Sequence, residues 1–330
     1  MSIPVIVMGL GPIGKNIVAA LAKAPQLELI GVVDPAFAMS KLGELVPHST
    51  NSALVVQKGV EGLAARKLGA VVLHATGSYL AQVENQLIDC VKAGCDVVST
   101  CEELAYPWLR HERAANNLDR LASELGQRVL GTGVNPGFVF ERLSSLLSHV
   151  VGEVRFVTGT RVVDSRTRRA QLQMKTGAGM APSTFERKKQ DGHFGHVGLR
   201  ESAALLSLGC GLGPLDRVDE TLEAVIAGRD VAPNELAREG AVAGIHQIAR
   251  GFIGNRQVTT LDLTIAAGAT PARDEIHIEA ETPISLRIDG GIPGDSATVW
   301  TTLNAAAQIK QVQAGLRTVV DLPVGRVTPR

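Results

Sequence analysis

Aromatic side chains are scarce, 3% of 330 residues, with seven Phe, two Trp and two Tyr. A chain so poor in rings is not built to stack on a large ring system. Cysteines number four, Cys90, Cys95, Cys101 and Cys210. They show no paired metal-ligand spacing and are too few for a disulfide framework in a chain this long, so they read as buried, reduced thiols, with no metal site. Charge of one sign is not in excess: 33 basic residues balance 33 acidic ones. That removes the basic surplus a nucleic acid or a membrane surface demands. No apolar run approaches the roughly 18 residues of a membrane span. No basic leader precedes the first apolar stretch, and the expectation is a cytoplasmic protein.

What is present fits a soluble globular protein, with 45% hydrophobic and 20% charged residues. The length exceeds what one core usually serves, so two domains are expected. The strongest motif lies at the start. "IPVIVMGLGPIGKNIVAAL" reads as a buried strand, a glycine turn and a helix opening at Pro12 and Ile13. Gly9, Gly11 and Gly14 match G-x-G-x-x-G. The first permits the tight turn, the second lets a pyrophosphate approach the backbone, and the third lets helix and strand pack closely. A second strand, "LELIGVVD", ends in Asp34 about twenty residues past Gly14, where an acid meets the adenosine ribose of a dinucleotide. The cofactor is therefore NAD or NADP. Asp34 favours NAD, because a carboxylate repels a 2′-phosphate, while Ser40 and Lys41 lie close enough in sequence to reach one.

The βα alternation continues. "AVVLHATGS", "DVVSTCEE" and "RVLGTGVNPG" are buried strands ending in small or polar residues, separated by helices. This predicts an α/β fold with an N-terminal, doubly wound parallel Rossmann sheet over residues 1–140. Ligands of such sheets sit beyond the carboxyl ends of the strands, which puts Ala75, Thr76, Glu102, Asn135 and Pro136 at one crevice. From about residue 141 the pattern changes to period-two alternation over long segments such as "QVTTLDLTIAAG" and "DEIHIEAETPISLRID". A second α+β domain over 141–295, built on a mixed or antiparallel sheet, is expected, with one sheet face available for a homodimer. A C-terminal helix over about 296–330 is expected to pack back on the first domain.

The acids Glu102 and Glu103 stand where relatives that oxidise alcohols carry a lysine. An ammonium suits a developing alkoxide, whereas a carboxylate suits an iminium cation and acts as a base toward water or ammonia. Being adjacent, the two cannot both enter one pocket, and the strand register favours Glu102. Capping of a first helical turn is the other reading of the pair. Arg161, Arg166, Arg168 and Arg169 are candidate cations for a substrate carboxylate. For Arg161 the other reading is a cross-strand ion pair, and for the remaining three a solvated face. His196 either lines the pocket or caps the following helix. His74, at the end of a buried strand, reads as structural.

On "GLGPIG", "DVVSTCEELAYP", "GVNPGFVFE", "RVVDSRTRRAQLQMKTGAGMAPSTF", "GHVGLRES" and "GGIPGDSATVWTTLNA", the chain resembles the native amine dehydrogenases and the related 2,4-diaminopentanoate dehydrogenases. These in turn resemble dihydrodipicolinate reductases. The resemblance spans most of the chain. It implies NAD(P)H-dependent reductive amination of a ketone or aldehyde with ammonia, the reverse oxidative deamination, and a homodimer. It carries the residue facing the reacting nitrogen onto Glu102, and a contact with the nicotinamide carboxamide or the substrate onto Asn135. The chain lacks the paired histidines of the dihydrodipicolinate reductases, having isolated ones such as His193 and His196. It also lacks the lysine of the Glu-Lys-Pro in similar sugar dehydrogenases. Three other readings stand beside this one: a dehydrogenase of the amino acid 2,4-diaminopentanoate, a reductase of a preformed imine, and an NAD(P)-binding redox sensor without enzymatic activity.

Overall fold

A computed structural model of the chain describes residues 2–63, 69–167, 173–174, 176–190, 194–228 and 238–325. His193, Arg168 and Arg169 lie outside the described residues. The chain forms two compact units. One comprises the residues up to Phe138 together with those from Pro293 onward, and the other is Val139–Ile292.

In the first unit, strands β1 (Ile3–Met8), β2 (Leu27–Val33), β3 (Val71–His74), β4 (Asp96–Ser99), β5 (Arg128–Gly131) and β12 (Gly315–Arg317) form one sheet in the order β12-β5-β4-β3-β1-β2. Every pairing is parallel, which accounts for strands that read as continuous Val, Ile and Leu runs. Side chains alternate between the two faces. Ile6, Val72, Val97 and Val129 meet helices Leu80–Lys92 and Trp108–Glu124 in one buried cluster. Helices Pro12–Leu21 and Gly294–Gln308 pack together and against the strands. The sheet is thus the doubly wound Rossmann type that the alternation predicts.

The C-terminal segment differs from the single long helix expected. The helix ends at Gln308, a short 3₁₀ turn follows over Ile309–Gln311, and β12 then adds a sixth strand beside β5. Gly315 has φ +116, outside the helical region, and Leu316 is buried at 1% exposure. A three-residue strand with one buried apolar side chain is too short for a period to reveal it.

The second unit is built on β6 (Val154–Asp164), β7 (Arg217–Ile226), β8 (Val242–Ile253), β9 (Arg256–Ala266), β10 (Arg273–Ala280) and β11 (Ile284–Asp289), in the order β11-β10-β6-β9-β8-β7. Pairing is antiparallel except between β6 and β9, so the sheet is mixed, as the period-two segments imply. Helix Leu199–Gly209 packs on β8 and β9.

Between β6 and β10, Arg161 stands directly opposite Asp274. Its Nη1 donates to both Asp274 carboxylate oxygens at 2.8 Å, and its Nη2 donates to the Ile292 carbonyl at 2.6 Å. The Ile292 N–H donates to Asp274 at 2.7 Å. Arg161 and Asp274 are 3% and 2% exposed. Burial pushes the Asp274 carboxyl up, and the guanidinium pulls it back. A paired charge of this kind is costly to break from one side only. Arg161→Met is expected to lower unfolding stability by about 3–5 kcal/mol, measured in urea, with Arg161→Met/Asp274→Leu recovering most of the loss. A single variant as stable as the parent would contradict the assignment.

Candidate active site

Because the first sheet is parallel, the carboxyl ends of β1, β3, β4 and β5 lie along one edge. The ladder extends one residue beyond the strands. Ala75 N–H donates to Met8 O at 2.8 Å, Thr100 N–H to His74 O at 2.9 Å, and Thr132 N–H to Ser99 O at 2.8 Å. The loops that follow therefore start in register, and each brings its short polar segment to the same edge.

The loop after β1 is the glycine turn. Gly9 has φ +93, and a Cβ there would approach Ala75 O to 2.6 Å. A Cβ on Gly14 would collide with the Gly9 carbonyl oxygen. Over Gly11 nothing lies within 4 Å, so the backbone is open at the position where a pyrophosphate approaches. The helix Pro12–Leu21 that follows has no side-chain cap, and its first N–H groups suit an anion. Pro12, Ile13 and Gly14 form this first turn.

Beside the glycine turn opens a cavity of about 400 Å³ lined by Gly9, Gly11, Asp34, Ala75 and Thr76, and also by Lys58, Glu61, Gln86 and Asp89. Asp34 accepts Leu10 N–H at 2.7 Å and Ala36 N–H at 2.9 Å, which fixes the carboxylate at the end of β2. Ser40 and Lys41 are not among the lining residues; the basic side chain that is among them is Lys58. Lys58 and Glu61 belong to a segment that runs beside β2, with Gln57 N–H donating to Val32 O at 2.8 Å and Asp34 N–H to Gln57 O at 3.0 Å. Nothing in that irregular segment repeats or matches a motif, so the sequence held no signal for it. Asp89 and Gln86 lie three residues apart in helix Leu80–Lys92, and a helical face read against the glycine turn was the one available clue.

The loop after β4 separates the two glutamates. Both lie in a 3₁₀ turn, Glu102–Ala105. Glu103 is 3% exposed, and its carboxylate accepts Leu80 N–H at 2.7 Å, Arg110 Nη2 at 2.5 Å and a hydrogen bond with His111 Nε2 at 2.9 Å. It thereby caps helix Leu80–Lys92 through a side chain distant in sequence. Glu102 is half-buried in the same turn. The turn packs on the end of β5 because residue 131 is glycine; a Cβ there would approach Leu104 and Ala105 backbone atoms to 2.5–2.6 Å.

Between β3 and β4 a buried network ties these loops together. His74 bonds Ser99 Oγ through Nδ1 at 2.8 Å, and Thr76 Oγ1 and Gln86 Oε1 through Nε2 at 2.8 and 3.0 Å. Gln86 Oε1 only accepts, which assigns the proton to Nε2 and leaves Nδ1 to accept from Ser99. Ser99 Oγ in turn accepts Cys101 N–H at 3.1 Å. Burial lowers the His74 pKa to about 4, so the ring is neutral over the ordinary range.

Asn135 and Pro136 follow β5, with Asn135 buried, and the preceding Val134 N–H donates to Thr298 Oγ1 at 3.3 Å. The remaining candidates belong to the second unit. Arg161 sits in the cross-strand ion pair already described, and a substrate carboxylate would compete with Asp274 for it. Arg166 is exposed and pairs with Asp164 at 2.5 Å. His196 N–H donates to Gln247 Oε1 at 2.8 Å, and Gln247 Nε2 returns a bond to His196 O at 3.0 Å. His196 does not cap the following helix, whose N-cap is Gly198 without a side-chain bond. Among the described residues no cluster of His, Cys, Asp or Glu is arranged to hold a metal, and no helix is long and apolar enough to cross a membrane.

A wholly parallel sheet, a G-x-G-x-x-G turn with an open cradle, and an acid closing β2 define an oxidoreductase of the Rossmann dehydrogenase class. The sequence profile of the 2,4-diaminopentanoate dehydrogenase C-terminal domain matches residues 138–328, and the chain belongs to that family. The 2,4-diaminopentanoate dehydrogenase of Acetoanaerobium sticklandii is 27% identical over 98% of this chain and 94% of its own. An amine dehydrogenase from Mycobacterium smegmatis superposes with a TM-score of 0.83 at 21% identity, covering 100% of this chain and 98% of its own. The WlbA dehydrogenase from Bordetella pertussis, solved with NADH and UDP-GlcNAcA, superposes at 0.53 with 14% identity, covering 97% and 93%. Both superpositions speak for the shared fold.

The cavity wall carries Asp34, Glu61 and Asp89 against the single ammonium of Lys58. Asp34→Asn is therefore expected to raise the Kd for NADH while lowering or sparing that for NADPH, measured by fluorescence titration. Equal weakening of both would remove Asp34 as the discriminating charge.

Proposed function

We propose that the protein is an NAD(P)H-dependent amine dehydrogenase, which aminates a ketone or aldehyde with ammonia and runs the reverse deamination. The observation that carries this reading is the division of labour between the two strand-end acids. Glu103 is committed to Leu80, Arg110 and His111, while Glu102 stands half-buried in the same turn, in a segment that has no lysine. The residues around the glycine turn fit a dinucleotide. The Gly11 backbone and the helix start would hold the pyrophosphate, and Asp34 the adenosine ribose.

When bound, the nicotinamide supplies or accepts the hydride. The carboxylate of Glu102 then acts on the nitrogen side. An anion in a partly desolvated site stabilises the iminium cation that must precede hydride addition. The same group takes a proton as ammonia attacks the carbonyl and returns it to the departing water. Asn135, in the loop after β5, would meet the carboxamide or the substrate. Asp34 makes NAD the preferred cofactor of the pair. The resemblance adds a homodimer and a cytoplasmic location to this reading.

For the substrate, two chemistries compete. The family profile and the Acetoanaerobium sticklandii relative favour an amino acid. The engagement of Arg161 with Asp274 favours a plain carbonyl compound, because Arg161 is then not at hand for a substrate carboxylate.

The reading is tested by exchanging the two acids in turn. Glu102→Gln is expected to lower ammonia-dependent NADH oxidation by about 10²- to 10⁴-fold with little change in Tm or NADH affinity. Glu103→Gln is expected to lower Tm and keep measurable turnover. The reverse pattern would invert the assignment, and full activity in both would end it.

A further inference from the structure

Two side chains in the cavity wall, Gln86 and Asp89, take no part in the mechanism above. They sit three residues apart on helix Leu80–Lys92 and are neighbours on one face of it. Gln86 is locked from behind. Its Oε1 is 3.0 Å from His74 Nε2 and accepts the Thr76 hydroxyl at 2.6 Å. The opposite orientation of the amide would need His74 to carry its proton on Nδ1 and donate it to Ser99 Oγ. Ser99 Oγ already accepts Cys101 N–H, so its own proton would then lack an acceptor among the described residues, at 0% exposure. The buried histidine therefore turns the Gln86 carbonyl inward and its amide nitrogen outward. That nitrogen has no partner among the described residues. The Asp89 side chain is exposed, and its carboxylate has none either.

The parts of the dinucleotide already placed leave this stretch of wall to the base. The Gly11 backbone and the start of helix Pro12–Leu21 take the pyrophosphate, and Asp34 takes the ribose. Beyond Asp34 the lining includes Val33, Pro35 and Val60, which suit a flat, uncharged ring. Adenine carries on its edge a donor, the exocyclic amine, beside an acceptor ring nitrogen. Gln86 offers a donor and Asp89 an acceptor, which is the complementary pair.

We propose that Gln86 and Asp89 read the adenine of the cofactor, Gln86 Nε2–H donating to a ring nitrogen and the Asp89 carboxylate accepting from the exocyclic amine. This rests on the dinucleotide site and goes beyond the amine dehydrogenase reading, since nothing in it depends on the substrate. Glu61, another carboxylate of the cavity wall, is turned toward its own loop, where a Cβ on Gly59 would collide with it. Lys58 is a donor only and cannot meet the amine.

The test compares NADH with reduced nicotinamide hypoxanthine dinucleotide, in which a carbonyl oxygen replaces the exocyclic amine and the adjacent ring nitrogen gains a proton. Both carry the fluorescent dihydronicotinamide, so one titration reads both Kd values without substrate or turnover. The parent is expected to bind NADH about tenfold or more tightly than the analogue, because Asp89 would there face an acceptor. Asp89→Asn, whose amide donates to that oxygen, is expected to bring the two Kd values within about threefold, with Tm unchanged. Gln86→Leu is expected to raise the NADH Kd about tenfold, and an unchanged Kd overturns its part. Where that variant also lowers Tm by disturbing His74, Asp89→Asn decides alone. Equal Kd values in the parent overturn the proposal, as does a preference that survives Asp89→Asn or is lost in Glu61→Gln instead. A parent that binds neither dinucleotide would remove the cofactor site itself, and the base reading with it.

Discussion

The carboxylate of Glu103 is the contact on which the arrangement of the first unit's strand-end loops depends. It accepts the N–H of Leu80 across the gap between the β3 and β4 loops, and it is held in turn by Arg110 and His111 from the following helix. A buried carboxylate with those partners is a structural element, costly to remove because it would leave the Leu80 N–H at a helix N-terminus without its acceptor. By taking that part, Glu103 fixes the 3₁₀ turn in which Glu102 also lies.

The second constraint is backbone geometry at the same edge. The Gly9, Gly14 and Gly131 positions admit no side chain without collision, and each collision is with backbone of a neighbouring loop or turn. Gly11 differs, since the space over it is open. The contrast separates glycines that let the protein approach itself from the one that lets a ligand approach the protein. The His74 network completes the edge from beneath. It links Gln86 and Thr76 in the cavity wall to the Cys101 N–H that precedes Glu102. A neutral, fully buried imidazole transmits position between the cavity wall and the turn without adding a charge that would disturb either.

Much of the fold was legible because its signals are local. The parallel sheet shows as uninterrupted Val and Leu runs ending in small residues, and the mixed sheet shows as long period-two strands from "RFVTG" to "SLRID". The short β12 was not legible, since three residues carry no period. At the candidate site, the glycine turn and Asp34 were readable from spacing alone. Lys58 and Glu61 were not, because they reach the sheet edge through an irregular segment that leaves no repeat in the chain. Arg161 illustrates the converse. An arginine in a strand is an open question in sequence, and the register that sets it opposite Asp274 exists only once β6 and β10 pair.

The central claim is that a strand-end carboxylate at Glu102 serves a cationic nitrogen at the reacting carbon. It is tested most directly by following NADH oxidation with a panel of ketones, aldehydes and 2-amino-4-oxopentanoate, each with and without excess ammonium at mildly alkaline pH. The account predicts turnover only where carbonyl compound and ammonium are both present. Equal turnover without ammonium would contradict it.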